Sequence, residues 1–443
     1  MNRLAALTPA ALLLLAGAWT TEPRAEAADW HAWIDDQSEE LFDRVVEWRR
    51  HFHANPELSN REFETAAYIE EFLRGLDMEV RTGIAHTGVV GLLEGGRPGP
   101  VVGLRADMDA LPVPSRAGLP FSPDGVTGEY LGEEVPVSHA CGHDTHMAML
   151  MGVAEIFAAR RDELPGTIKF IFQPAEEGTP PGEDGGAEMM VEEGVLSDPD
   201  VDVIFGQHIW SLAPVGQIGY RPGGIMAASD QFTITIHGEQ THGSTPWTGV
   251  DPISIAAQVI IGLNMIVSRQ TELTKEAAVI SVGRIRSGVR NNIIPESAEL
   301  IGTIRTLDVE MQDKIHEDIR RTVEHIVASQ GGTADVEIQR GYPVTYNDPE
   351  LTARMAPSLQ RVGGDQAKVV DAITGAEDFS FFQQQVPGLY FFVGGMPPDA
   401  DPENVAPHHT PDFYIDEDGM KTGVRALATL AIDYMLQSEP DDS

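Results

Sequence analysis

Thr167-Ile168-Lys169-Phe170-Ile171-Phe172 runs directly into Gln173-Pro174-Ala175-Glu176-Glu177-Gly178. A β-type apolar run thus ends in two carboxylates and a glycine. The pattern recurs along the chain. Val101-Val102-Gly103-Leu104 precedes Arg105-Ala106-Asp107-Met108-Asp109, and residues 201–205 precede Gly206-Gln207-His208. A fourth run, Leu389-Tyr390-Phe391-Phe392-Val393, precedes Gly394-Gly395. Residues 145–161 read as a helix between two of these runs. Strands alternating with helices indicate an α/β sheet. In open sheets of this kind ligands bind beyond the carboxyl ends of the strands. The three acidic or histidine-bearing strand ends are therefore expected to converge on one crevice.

Outward from this core, residues 40–50 and 62–76 show apolar side chains at three- and four-residue spacing, as helices do. No tandem repeat or low-complexity segment is evident. Residues 219–340 have another rhythm. Phe232, Ile234 and Ile236 alternate with threonines as in a half-buried strand. Asp251-Pro252 marks a helix start, Asp as cap and Pro in the first turn, and that helix runs to about residue 268. Residues 278–285 and 298–305 read as strands, 311–329 as a helix and 335–339 as a last strand. The order β-α-β-β-α-β is ferredoxin-like. The fold class is therefore α/β. An open mixed-sheet domain, residues 28–218 and 341–443, is interrupted by an inserted α+β domain, residues 219–340. A final helix over 419–435 returns to the main core.

The chemistry centres on Ser138-His139-Ala140-Cys141-Gly142-His143-Asp144-Thr145-His146. Cys141 is the chain's only cysteine and cannot form a disulfide within it. Cys141 and His143, two apart, can point the same way in an extended segment and hold one ion of the zinc type. Asp144 is a candidate to orient a ligating histidine, and His146 to support the site or cap the next helix. Adjacent carboxylates after a strand point different ways, so one of Glu176 and Glu177 can bind metal while the other moves a proton. His208 and one of His408 and His409 are candidates to complete the set, and residue chemistry alone leaves that pair open. A rival reading makes Cys141 a nucleophile with a histidine base, but it leaves the glutamates and distant histidines without work. A non-catalytic exported metal or solute binder is the alternative of another class. It would need a ligand glutamate but no adjacent base.

The N-terminus reads as a secretory signal over residues 1–27. Arg3 leads an almost wholly apolar run over residues 4–19, and Ala25-Glu26-Ala27 offers a cleavage site. That run is short for a membrane span, so export to the periplasm or medium without a stable anchor is expected. A mature chain of about 415 residues can bury a core without disulfides and predicts at least two domains. The net charge of −39 makes nucleic acid a poor partner. It reads as a solvated acidic surface, suited to high salt or to collecting cations.

Together these motifs resemble the dinuclear metallopeptidase family of aminoacylases, hippurate hydrolases and plant-type indole-acetyl-amino-acid amidohydrolases. The resemblance is continuous over residues 49–417. It rests on Arg49-Arg50-His51-Phe52-His53, Pro56-Glu57-Leu58, residues 105–112, His139-Ala140-Cys141-Gly142-His143-Asp144, residues 173–178 and Gly375-Ala376-Glu377-Asp378-Phe379. It implies two divalent ions per chain held by Cys141, His143, Glu177, His208 and His409, the last chosen by its His-x-Pro context. It also implies Glu176 as general base, with Asp107 and Asp109 as supports. Zinc fits the donor types, and manganese, cobalt or nickel are compatible. The inserted domain resembles the family's lid and dimerisation domain. By that likeness His242 is an oxyanion-binding group, often supplied by a neighbouring subunit, and Asn292 and Arg305 hold the substrate carboxylate. The chain departs from many relatives where Trp247 replaces a second lid histidine. Trp247 either packs on an aromatic acyl group or fills the lid core. The implied activity is hydrolysis of N-acyl amino acids by a homodimer or higher oligomer, with an exopeptidase of short peptides as the close alternative.

Overall fold

The computed structural model describes residues 22–438. The signal reading falls almost wholly outside them; its last residues open the helix Glu22–Glu40. Eight strands form the large sheet, in the order Glu79–Ile84, Gly88–Glu94, Pro165–Gln173, Arg97–Asp107, Val203–Pro214, Gly388–Met396, Ile218–Tyr220, Ala367–Val369. The four central strands, Pro165–Gln173 to Gly388–Met396, run parallel, while the flanking pairs bring antiparallel partners. The sheet is mixed, and the carboxyl ends of its parallel centre lie along one edge.

The strands pack on both faces because their side chains alternate. In Gly388–Met396, Leu389, Phe391 and Val393 enter one core, with the helices Phe42–Ala54, His143–Ala158 and Gly419–Gln437. Tyr390 and Phe392 enter the other, with Met190, Phe379 and Phe382. The same alternation sends Lys169 of Pro165–Gln173 to the second face. There its Nζ donates to the carbonyls of Val195, Ser197 and Pro199 at 2.8–3.0 Å.

The inserted unit has its own core and its own four-stranded antiparallel sheet, ordered Ala278–Ser287, Ser297–Thr306, Ala228–His237, Thr333–Gln339. The helices Pro252–Met265 and Val309–Ser329 cover it, burying Ile255, Val259, Ile315 and Ile319 against Phe232, Ile234 and Ile236. Asp251 caps the first helix by accepting from the Ile253 amide at 2.9 Å. Strand order and connectivity match the ferredoxin-like reading. Over Pro252–Gln270 this helix is apolar enough to cross a membrane by length and composition, but it lies on the sheet.

The structure differs from the sequence reading in one boundary and one helix. The unit's sheet starts at Ala228, not Gly219, because Ile218–Tyr220 pairs with Gly388–Met396 in the large sheet. The connection Gly223–Met226 then pairs with Thr345–Asn347, so the two crossings between units run side by side. The first helix, Glu22–Glu40, was not read from sequence. It buries Trp30 and Ile34, one turn apart, in the helical core.

Candidate metal centre

His143 is the first residue of the helix His143–Ala158, and Gly142 before it has φ +101°. A Cβ at Gly142 would sit 2.4 Å from Ile209 Cγ2, so only glycine permits this turn. Cys141 and His143 thus reach one site through a left-handed corner, not the extended segment expected. His208 lies within Val203–Pro214, not after a strand. Pairing with Arg97–Asp107 ends at Gly206, leaving the edge beyond it open. Glu176 and Glu177 follow Ala175, whose φ is +54°. Their amides donate to Asp109 Oδ1 at 3.1 Å and Oδ2 at 3.0 Å. His409 also has a left-handed backbone, φ +63°, and such strain gathers at functional sites.

Hydrogen-bond bookkeeping separates the histidines that have a ligand atom to offer from those that do not. His146 is engaged at both nitrogens, by Asp107 Oδ1 at 2.6 Å and the Ile209 amide at 2.8 Å. His408 is engaged likewise: Nδ1 donates to the Cys141 carbonyl at 3.0 Å and Nε2 accepts from the Ser211 amide at 3.1 Å. Asp107 spends its second oxygen on Arg105, at 2.7 Å. By contrast, His143 donates from Nδ1 to the Asp109 carbonyl at 2.8 Å. Its buried Nε2 has no hydrogen-bond partner among the described residues and faces Glu176 Oε2 at 3.7 Å and Glu177 Oε1 at 3.9 Å. His208 donates from Nδ1 to the Ile209 carbonyl and turns Nε2 to Cys141 Sγ at 3.4 Å. His409 Nε2 lies 3.2 Å from that sulfur and 3.0 Å from Glu177 Oε1. Among the side chains close enough to share an ion, the atoms left over belong to Cys141, His143, Glu177, His208 and His409, with Glu176 beside them. Buried His139, whose nitrogens also lack a hydrogen-bond partner among the described residues, stands outside these groups. This mix of sulfur, imidazole and carboxylate suits divalent ions.

Electrostatics point the same way. Burial pushes the Cys141 thiol well up, and the Glu177 and Glu176 carboxylates add to this. A thiolate there calls for a cation beside it, which argues against Cys141 as a free nucleophile. Burial also pushes the Glu176 carboxyl well up, reinforced by Glu377 and Glu177. Behind the site, buried Arg105 donates to Asp107, Glu377, Asp378 and Gln173 at 2.7–3.0 Å. Asp144 faces away from the candidate ligands. It meets His53 Nδ1 at 2.9 Å and Arg49 Nε at 2.8 Å, so it orients no ligand histidine.

The cluster opens into a cavity of about 470 Å³. Its lining combines Cys141, Glu176, Glu177, His208 and His409 with the apolar Trp210, Leu212, Met226, Ile373 and Pro407, and includes Tyr342, Glu377 and His408. No lysine or arginine lines it. Trp210, missed in the sequence, could have been found two residues beyond His208, where strand alternation returns a side chain to the same face. His242, Asn292 and Arg305 do not line this cavity. His242 is exposed on a two-residue strand whose register partner is Ile293, next to exposed Asn292. Arg305 donates to Ser229 Oγ at 2.7 Å. Trp247 is 77% exposed, which removes the lid-core reading.

A model of the peptidase family M20/M25/M40 matches residues 103–433. The chain is 41% identical over 403 residues to thermostable carboxypeptidase 2 of Saccharolobus solfataricus, covering 90% of this chain and 98% of that protein. It is 36% identical over 390 residues to N-acetylcysteine deacetylase of Bacillus subtilis, covering 88% and 96%. The solved structure of Bacillus subtilis YXEP protein, described as a dinuclear metal binding peptidase of this family, superposes with a TM-score of 0.75 at 33% identity, covering 89% and 98%. The family resemblance read from the motifs is borne out. The chain belongs to peptidase family M20/M25/M40 and is an enzyme of metal-dependent amide-bond hydrolysis.

Proposed function

We propose that the protein hydrolyses N-acyl amino acids with Glu176 as general base, and that Cys141, His143, Glu177, His208 and His409 hold two divalent ions. The observation that carries the reading is the placement of Glu176. Its carboxylate stands beside the leftover ligand atoms in a cavity that is also lined by the apolar Trp210, Leu212, Met226, Ile373 and Pro407. When bound, the ions supply Lewis-acid activation of water and of the amide carbonyl. Glu176 takes a proton from the attacking water and returns it to the leaving nitrogen. The apolar side chains of the lining receive the acyl group. Released amino acid and carboxylic acid are the products.

The inserted unit supports a homodimer. Ile253, Ile261 and Met265 of the helix Pro252–Met265 are 45–62% exposed. Val279 and Ile285 are exposed on Ala278–Ser287, the edge strand of the sheet. An apolar helix face beside an open strand edge suits a second copy of the chain. In that arrangement His242 and Asn292 serve the partner's site as oxyanion and substrate contacts, and Arg305 holds the substrate carboxylate. Cleavage of the N-terminal signal and export complete the proposal, consistent with a protein of net charge −39.

The test combines metal analysis with turnover of N-benzoyl and N-acetyl amino acids and dipeptides, repeated for Glu176→Gln. About two ions per chain, with turnover of acyl amino acids lost in the variant while metal stays, is the expected result. Metal without turnover of any substrate would favour a binder. Dipeptide turnover alone would favour the exopeptidase reading, which the likeness to a carboxypeptidase supports. Activity that falls on dilution as the dimer dissociates, and full inactivity of an Ile261→Lys monomer, are expected if His242 acts across the interface.

A further inference from the structure

The two chain crossings between the large domain and the inserted unit are fastened to each other, and the fastening ends on Glu176. The Ser229 amide donates to the Tyr342 carbonyl at 2.9 Å, tying the outgoing crossing to the returning one. Gly341 donates to Asp230 Oδ1 at 3.3 Å. Asp230 Oδ2 is in turn held by His316 Nε2 at 2.6 Å and Gln312 Nε2 at 2.8 Å, both from the helix Val309–Ser329. A Cβ on Gly341 would sit 2.1 Å from the Ser229 carbonyl oxygen, so the close approach of the two segments leaves no room for a side chain there. The next residue, Tyr342, donates its hydroxyl to the Glu176 carbonyl at 2.8 Å and lines the same cavity.

The other bonds to this backbone come from the large domain. Ala175 donates to Glu62 Oε1, and Glu176 and Glu177 donate to Asp109. Tyr342 is the contact that arrives from the crossing. A continuous path therefore runs from the helix Val309–Ser329 through Asp230, Gly341 and Tyr342 to the residue carrying the base. We infer that Tyr342 is a positioning residue that transmits the orientation of the inserted unit to Glu176, so that the carboxylate is set for proton transfer when that unit is correctly seated. This rests on Glu176 being the base.

Tyr342→Phe removes only the hydroxyl. The expected result is a fall in kcat of about tenfold, the scale of one hydrogen bond, with KM, metal content and melting temperature unchanged. Hydrogen exchange at the Glu176 and Glu177 amides should quicken, and Asp230→Asn should act in the same direction. A double-mutant cycle should show the two changes to be non-additive. Unchanged kcat and exchange in Tyr342→Phe, while Glu176→Gln is inactive, would overturn the inference and leave the base assignment standing. A joint loss of kcat, KM and melting temperature would reduce Tyr342 to a packing role and also overturn it. An active Glu176→Gln would remove the base and the inference together.

Discussion

Glu62 offers a quantitative test of how the backbone that bears Glu176 is supported. The residue is fully buried, accepting from Thr87 Oγ1 at 2.7 Å and from the Ala175 amide at 2.9 Å. Burial, then the nearby Asp109 carboxylate, raise its carboxyl from 4.5 to about 8. Below the unfolded value both states hold the proton and the group contributes no pH dependence. Between the two values the unfolded chain has released its proton while the folded chain keeps it, so stability falls as pH rises. Above about 8 the deficit is complete. At about 1.4 kcal/mol per unit, its ceiling is roughly 5 kcal/mol. Glu62→Gln stays neutral at every pH, accepts from Ala175 through Oε1 and donates to Thr87 through Nε2. Thermal unfolding of the two proteins should nearly coincide at about pH 5 and diverge towards about pH 9, the variant melting higher. A variant that melts lower by a constant amount at both pH values would refute the reasoning. It would show Glu62 ionised in the fold and stabilised by its two donors.

Gly142→Ala should destabilise the protein by about 1–3 kcal/mol through its left-handed backbone and the clash with Ile209. Bound metal should fall with it, read by metal analysis beside thermal unfolding. His409→Ala should lower bound metal with little change in apo-protein melting, because the side chain is half exposed. His408→Ala should lower the melting temperature first, since it strands the Cys141 carbonyl and the Ser211 amide. Lys169→Met should cost about 3 kcal/mol in denaturant unfolding, because three inward-facing carbonyls lose their donor. It should leave KM unchanged, as Lys169 and the three carbonyls it holds do not line the cavity.

Much of the molecule was written in the chain. Short β-type apolar runs named the central strands, and the acidic or histidine residues that follow them in the chain named the crevice of Asp107, Glu176 and His208. The order of elements over residues 219–340 named the inserted fold, because six elements of that pattern have one common way to bury their apolar faces. What the chain could not decide was which atoms are free. Residue chemistry left His408 and His409 open, and it gave Asp144 and His146 supporting roles without saying which atoms those roles would use. Only the folded structure supplies the Ile209 and Ser211 amides, the Arg49 guanidinium and His53 that consume them. Hydrogen-bond satisfaction is a property of neighbours brought together across hundreds of residues. For the same reason Tyr342 is silent as sequence: its hydroxyl meets Glu176 only because two crossings between domains lie side by side.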